Sequence, residues 1–411
     1  MSQKNNTTNI AIIGAGASGL FCALCLAKKG FLVTVFEKNN KPGKKLAATG
    51  NGKCNISNTN ISLANYFSSN PSFSKYALEH FGFEKFSKFC DEIGLNLTTN
   101  ENGKTYPSSL QASSVVEILY QEALFYGAIF HFSTYIEDLT FEKKAKIIAH
   151  NTQYEFDKVI LATGSIAMEK LGGTNSGYEL AKKLGHSIIE PFPSLVQLTS
   201  HNKEIHFLSG VKTEVAITIF INNQRSKSIE GDILFTNYGV SGNAILDLSR
   251  EANQAMLEGS YVDIVVDLFP QNDKNKLLAL LEKKKKALPN RPKEFLLLSL
   301  INSKLIDFIF KKAKIDPNKI TTDHLDKKDL QSLTYALKSI KIEIDGSKGF
   351  ENAEVVAGGV NVDEIDPKTM ESKLQSGLYF CGEVIDVDGD CGGYNLHWAW
   401  ASGYILASSM S

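Results

Sequence analysis

The stretch NIAIIGAGASGLFCALCLAKKGFLVTVFEK, residues 9–38, sets an apolar strand, a glycine turn, an apolar-faced helix, a second strand and an acid one after another. That order restricts the fold sharply, because each glycine of the turn has a physical job. Gly14 permits the tight turn out of the strand, Gly16 lets the backbone approach a pyrophosphate, and Gly19 lets the helix pack close to the sheet. An anion held by Gly14, Ala15, Gly16, Ala17, Ser18 and Gly19 rests on a helix N-terminus, where exposed N–H groups and the helix dipole favour negative charge. Ser18 adds a hydroxyl near that helix start. Glu37 ends the second strand at the spacing of about 20 residues expected of an acid that binds a ribose diol; a 2′-phosphate would be repelled there. The motif predicts a dinucleotide-binding βαβ unit and leaves NAD and FAD both open.

At 411 residues the chain exceeds the size at which a single core keeps growing, so two or three domains are expected. Its 43% hydrophobic and 22% charged residues are those of a soluble globular protein. No run of 18 apolar residues suggests a membrane span, and the polar start MSQKNNTTN lacks the basic and apolar regions of a secretory signal, so a cytoplasmic protein is expected. Six cysteines without framework-like spacing fit a reducing compartment. The net charge of −1 hides an asymmetry, because residues 271–340 carry 16 Lys and Arg against 8 Asp and Glu. Such a segment attracts nucleic acid, an acidic partner or an anionic substrate, or else is the solvated face of a helical bundle. The Leu-rich helical pattern around Lys283–Lys286, without the interleaved aromatics that stack bases, favours the solvated face and makes a nucleic-acid partner the weaker expectation.

After Glu37 comes a long loop, residues 39–60, rich in Gly, Asn and Lys; loops this long are usually functional. Helical patterns at about 74–93 and 113–126 then alternate with short strands near 128–132 and 146–150, and DKVILATG at 157–164 is a buried strand running into a Thr-Gly turn. Near Pro191 the pattern changes to alternating strands, and from about 272 it becomes helical and Lys/Leu-rich. Strands return beyond 341, GLYFCGEVID at 377–386 is another buried strand, and a glycine-opened helix begins near Gly393. The first domain is therefore expected from both ends of the chain, 1–190 and 341–411, with an inserted β-rich domain at 191–271 and a helical subdomain at 272–340.

Four stretches carry a family resemblance: GAGASGL at the start, KKLAATGNGKCNISN at 44–58, LFTNYGVSGNAIL at 234–246, and the C-terminal run from Glu371 through GLYFCGEVIDVDGDCGGYNLHWAWASG. The chain resembles the YhiN-type, aminoacetone oxidase-like and BaiN-like flavoproteins of the glutathione-reductase-type superfamily. That resemblance implies an α/β fold with a glutathione-reductase-type, Rossmann-like FAD domain, an inserted β-barrel-like domain and a small helical subdomain. It also implies that Gly14 to Gly19, with Glu37 and Lys38 after them, hold the ADP half of a non-covalent FAD. Ile136 stands where relatives bind the adenine edge through backbone groups, and Ala162, Thr163 and Gly164, in the Thr-Gly turn after the buried strand, are further cofactor-binding residues. Lys45, Leu46, Gly50, Gly52, Lys53, Cys54 and Asn55 match the flavin-lining loop, with Lys53 in the place of a frequent Arg, so a point charge survives but a bidentate fork does not. Gly382, Glu383 and Asp386 follow the last buried strand, and Gly393, Tyr394, Asn395 and Leu396 open a helix expected to face the pyrimidine end of the flavin.

The catalytic candidates each carry a plainer reading. His397, in the first turns of the last helix, is a candidate proton-transfer group, weighed against the Gln that relatives often place there. Cys54 and Cys391 are either a redox pair or small packing residues, and Cys22 and Cys25 spell CxxC inside a helix, where core packing is the better reading. No metal-ligand pattern and no second glycine fingerprint is present, so NAD(P)H is expected to dock transiently as electron donor if it is used. Two functions follow: an FAD-dependent oxidoreductase passing hydride from NAD(P)H or a small organic substrate to flavin N5 and on to O₂ or an organic acceptor, or a non-catalytic flavin sensor whose basic segment recruits an acidic partner.

Overall fold

The structure, a computed structural model, describes residues 8–411 and divides them into two compact units, one formed by 8–193 with 350–411 and the other by 194–349. The first unit is organised by five parallel strands: β1 (Asn9–Ile13), β2 (Leu32–Phe36), β3 (Ile129–His131), β4 (Lys158–Leu161) and β5 (Leu378–Phe380), in the order β5-β4-β1-β2-β3. The near-continuous apolar runs of β1, β4 and β5 are those of strands covered on both faces. Helix α1 (Ala17–Lys28) is buried from Ser18 to Ala27, held between α2 (Ala112–Phe125) and the C-terminal helix. A helix with so little polar surface cannot face water. A three-stranded antiparallel sheet, Asp138–Phe141, Ala145–Ala149 and Thr152–Phe156, connects β3 to β4.

Two details differ from the sequence pattern. The helix expected over 74–93 is two helices, Lys75–His80 and Phe83–Glu92, because Phe81 leaves the helical region at φ −140°, ψ 63° and Gly82 takes extended backbone, which ends the first helix. The loop at 39–60 contains a kinked 3-10 stretch, Leu46–Gly52, in which Gly50 and Asn51 lie in the left-handed region. Asn tolerates that region better than most side chains.

The second unit is a seven-stranded antiparallel sheet in the order Ile340–Ile344, Val262–Asp267, Lys212–Ile221, Gln224–Phe235, Gly239–Ser241, Leu198–Thr199, Gly346–Ser347. Its first and last strands are one segment interrupted only at Asp345, so the sheet curls round on itself. The central hairpin turns through Asn222 and Asn223, both at positive φ as a tight two-residue turn requires. The helices Lys274–Ala287, Ser303–Lys312 and Lys327–Lys338 share one hydrophobic core with this sheet. The strand at 340–344, assigned by pattern to the first domain, pairs with Val262–Asp267 here, and a helix at Asn243–Leu257 stands inside the stretch read as β-rich. Part of the lysine excess is spent internally: Lys285 donates to the Leu325 carbonyl, Lys319 pairs with Asp326 and Asp329, and Lys338 donates to Asp267 and two carbonyls. No helix among the described residues is long and apolar enough to cross a membrane.

Candidate functional site

The glycine turn between β1 and α1 divides its labour unevenly. Gly14 has φ +107°, and a Cβ there would lie 2.4 Å from the Ala162 carbonyl oxygen at the end of β4. A Cβ on Gly19 would lie 2.0 Å from the Gly14 carbonyl oxygen. Both glycines are therefore demanded by the protein's own backbone. Gly16 is different: a Cβ there meets no atom within 4 Å. Its smallness serves the open space beside the helix N-terminus.

Glu37 is buried at the end of β2 and ties this turn together. Its Oε2 accepts from the Ala15 N–H at 2.8 Å, and its Oε1 accepts from the backbone and side-chain amides of Asn39 at 2.8 and 2.6 Å. Asn39 escaped the sequence reading; it lies two residues after the acid and gives both its amides to the same carboxylate oxygen. Lys38 turns away from the anion site and donates to the Gly173 carbonyl at 3.1 Å. The hydroxyl of Ser18, expected near the helix start, points inward to the Cys381 carbonyl at 3.2 Å and fixes α1 to the end of β5. Ile136 is buried just past Thr134, whose N–H donates to the Glu37 carbonyl at 2.8 Å.

The flavin-lining loop is drawn to the C-terminal segment by an ion pair, Lys45 Nζ to Glu383 Oε2 at 2.9 Å, while Glu383 Oε1 accepts from the Val356 N–H at 3.1 Å. Leu46 is buried, Gly50 and Gly52 take positive φ, and Lys53 is exposed. Cys54, itself at φ +59°, is fully buried, and that burial pushes its thiol up to about 11 against a partial offset from Thr49. A thiol held protonated in this way suits packing better than nucleophilic attack. Next to it, the Asn55 side-chain oxygen is buried and has no hydrogen-bond partner among the described residues. Ala162 and Thr163 continue β4 into Gly164, which lies at φ +70° and, like Gly16, has open surroundings, since a Cβ there would meet no atom within 4 Å.

Gly382 packs against Ser18, where a Cβ would sit 2.3 Å from the hydroxyl oxygen, and Asp386 is buried with its Oδ2 accepting from the Ser69 N–H at 2.8 Å. Gly393, at φ +96°, then opens helix α4 (Tyr394–Ser409), and no side chain caps that end. Asn395 folds back on its own approach loop through two 2.8 Å bonds with Gly389, the Tyr394 carbonyl accepts from Tyr66 Oη at 3.1 Å, and Leu396 is half-buried. His397, considered for proton transfer at a substrate, is a core residue. It is 0% exposed, donating through Nε2 to the Phe81 carbonyl at 2.9 Å and accepting at Nδ1 from the Ser57 hydroxyl at 2.9 Å. Burial drives its pKa down to about 4, so the ring is neutral near pH 7. Cys391 is partly exposed, the other five cysteines are buried, and no disulfide joins any of the six.

The first unit thus presents open backbone at Gly16 and Gly164, a buried acid at the end of β2, and an orphaned amide oxygen at Asn55. This donor set fits a dinucleotide whose phosphates need close backbone approach and whose ring system needs a buried polar partner. The model of the HI0933-like protein Rossmann domain matches residues 8–409. The chain belongs to the HI0933-like Rossmann family. It is, like that family, an FAD-dependent oxidoreductase of α/β fold. This HI0933-like protein is 34% identical to a 3-dehydro-bile acid delta(4,6)-reductase of Clostridium scindens over 96% of the chain and 97% of the relative. It is also 34% identical to a ribosomal RNA dihydrouridine synthase of Haemophilus influenzae, over 97% and 98%. Among solved structures it is similar to 3-ketosteroid delta1-dehydrogenase from Sterolibacterium denitrificans, with a TM-score of 0.48 at 12% identity, covering 98% of this chain and 99% of that one.

Proposed function

We propose that this protein reduces a carbon–carbon double bond conjugated to a carbonyl group, with NAD(P)H as the source of hydride. One observation carries the reaction class: the two full-length relatives at 34% identity are named for a delta(4,6)-reduction and for making dihydrouridine, and both names describe hydrogens added in pairs, two for each carbon–carbon double bond reduced. The carbonyl makes the β-carbon electrophilic, so one hydride arrives there and one proton at the α-carbon, while NAD(P)H leaves as NAD(P)⁺. Bound FAD supplies the two-electron transfer between donor and acceptor.

The chain's own residues bind and orient. Gly14 to Gly19 hold the pyrophosphate in this reading, Glu37 the adenosine ribose and Ile136 the adenine edge. The loop from Lys45 to Asn55, the turn at Ala162, Thr163 and Gly164, and the entry to α4 at Gly393 to Leu396 surround the flavin half. His397 held neutral and Cys54 held protonated agree with a site whose electron chemistry belongs to the cofactor.

The test is an anaerobic titration of the purified holoprotein with NADH and NADPH, followed by a 3-oxo-Δ4 steroid in one arm and a uridine-containing ribosomal RNA transcript in the other. The expected result is bleaching of the flavin band by one nucleotide and its recovery with one acceptor, whose product gains two hydrogens by mass. Recovery only with O₂, and no mass gain in either arm, would sink the proposal.

A further inference from the structure

Tyr178 lies on α3 (Ser176–Lys183), is 5% exposed, and its hydroxyl is buried without a hydrogen-bond partner among the described residues. Buried hydroxyl groups are nearly always paired, so this one calls for a partner. Its position is set by the residue before it. A Cβ on Gly177 would lie 1.9 Å from Thr163 Oγ1 and 3.2 Å from Val384 Cγ2, so only glycine lets α3 press onto the turn after β4 and onto the segment after β5. Tyr178 therefore stands where two of the strand ends that build the site converge.

The neighbouring charges define what the hydroxyl can meet. Glu383 and Asp386 lie close enough to act with burial in holding the phenol well above its ordinary pKa, so it remains a donor. Neither carboxylate is idle: Glu383 is engaged by Lys45 and the Val356 N–H, and Asp386 accepts from the Ser69 N–H. Two carboxylates beside the hydroxyl disfavour a phosphate oxygen there and leave room for a neutral one.

We propose that Tyr178 is a positioning residue for the flavin half of FAD, its hydroxyl donating to a ribityl oxygen of the bound cofactor. The inference rests on FAD occupying the glycine turn as read above, where the ADP half is held by other residues. Nothing in the sequence pattern singles out Tyr178, because the groups that define its surroundings come from residues 163 and 383–386.

Tyr178→Phe removes only the hydroxyl. Apoprotein prepared from the wild type and from this variant is titrated by calorimetry with FAD and, separately, with ADP. The expected result is an FAD Kd raised about 3- to 10-fold, the range of one neutral hydrogen bond, with the ADP Kd unchanged and the apoprotein melting temperature unchanged or higher. A lowered melting temperature with unchanged FAD affinity would show the hydroxyl to be paired within the protein, and FAD and ADP weakened alike would move the contact to the nucleotide half; either overturns the proposal. The wild type gives an independent measurement: an FAD analogue with a deoxygenated ribityl chain should lose the same factor against the wild type and nothing further against Y178F. Equal FAD affinities in the two proteins would overturn the role of Tyr178 alone, whereas a wild-type apoprotein that takes up no FAD would overturn the cofactor reading beneath it.

Discussion

Two glycine-rich turns open the two long helices that lie against each other in the first unit, and they are built on opposite principles. At the entry to α1, backbone packs on backbone: Gly14 and Gly19 are required by carbonyl oxygens within 2.4 Å of their absent Cβ atoms, and Gly16 alone faces open space. The entry to α4 is a web of side chains, in which Asn58 Nδ2 donates to the Gly392 carbonyl at 2.9 Å, Asn395 clasps Gly389 and Ser57 meets His397. Gly393 is no open position either, since a Cβ there would lie 2.4 Å from the Ser57 carbonyl oxygen. The difference teaches that a glycine in a motif is evidence for a ligand only after its structural duties are subtracted. By that measure Gly16 is the informative one of the three.

The strongest way to break this comparison is at Gly19. Gly19→Ala should destabilise the first unit by about 4 kcal/mol or more, because backbone rather than a movable side chain stands 2.0 Å from the new Cβ. Urea unfolding of the apoprotein measures it, and a loss below about 1 kcal/mol would show that α1 can shift away from the turn.

At the other turn the decisive group is His397. Its folded pKa of about 4 lies below the ordinary 6.5, so between those values the unfolded chain binds the extra proton. The stability contributed is complete above pH 6.5 and is lost as the pH falls towards 4, by about 3 kcal/mol in all. Comparing wild type with His397→Gln by urea unfolding at pH 7, 5.5 and 4.5 isolates it. The variant should have the flatter profile, and identical slopes would mean that the ring is solvated.

Gly16→Val should change stability least, within about 1 kcal/mol, because its backbone is at φ −76° and its Cβ enters empty space. It should nevertheless purify without flavin colour. A variant that retains a full complement of FAD would remove the distinction drawn between Gly16 and its neighbours.

How much of this was readable in advance follows the same division. The β1-turn-α1-β2 unit and the place of Glu37 at the end of β2 were legible, because their causes lie within thirty residues of one another. So was the return of the chain at β5, a buried apolar strand ending in Gly-Glu. The inward turn of Ser18, the core role of His397 and the setting of Tyr178 were not. Ser18 depends on a carbonyl at 381, His397 on groups at 57 and 81, and Tyr178 on residues 163 and 383–386. The strand at 340–344 was misassigned for a related reason: alternation predicts a strand but carries no information about which sheet supplies its partner.

The discontinuity of the first unit also has a consequence during synthesis. Residues 194–349 form one uninterrupted segment, and their curled sheet has both edge strands as soon as Ser347 has been made. The first unit has β1 to β4 much earlier, yet lacks β5 and α4 until residues 378–409 have left the ribosome. The domain synthesised second is therefore the one able to finish folding first, and the nascent β4 edge and the apolar face of α1 must wait uncovered while it does so.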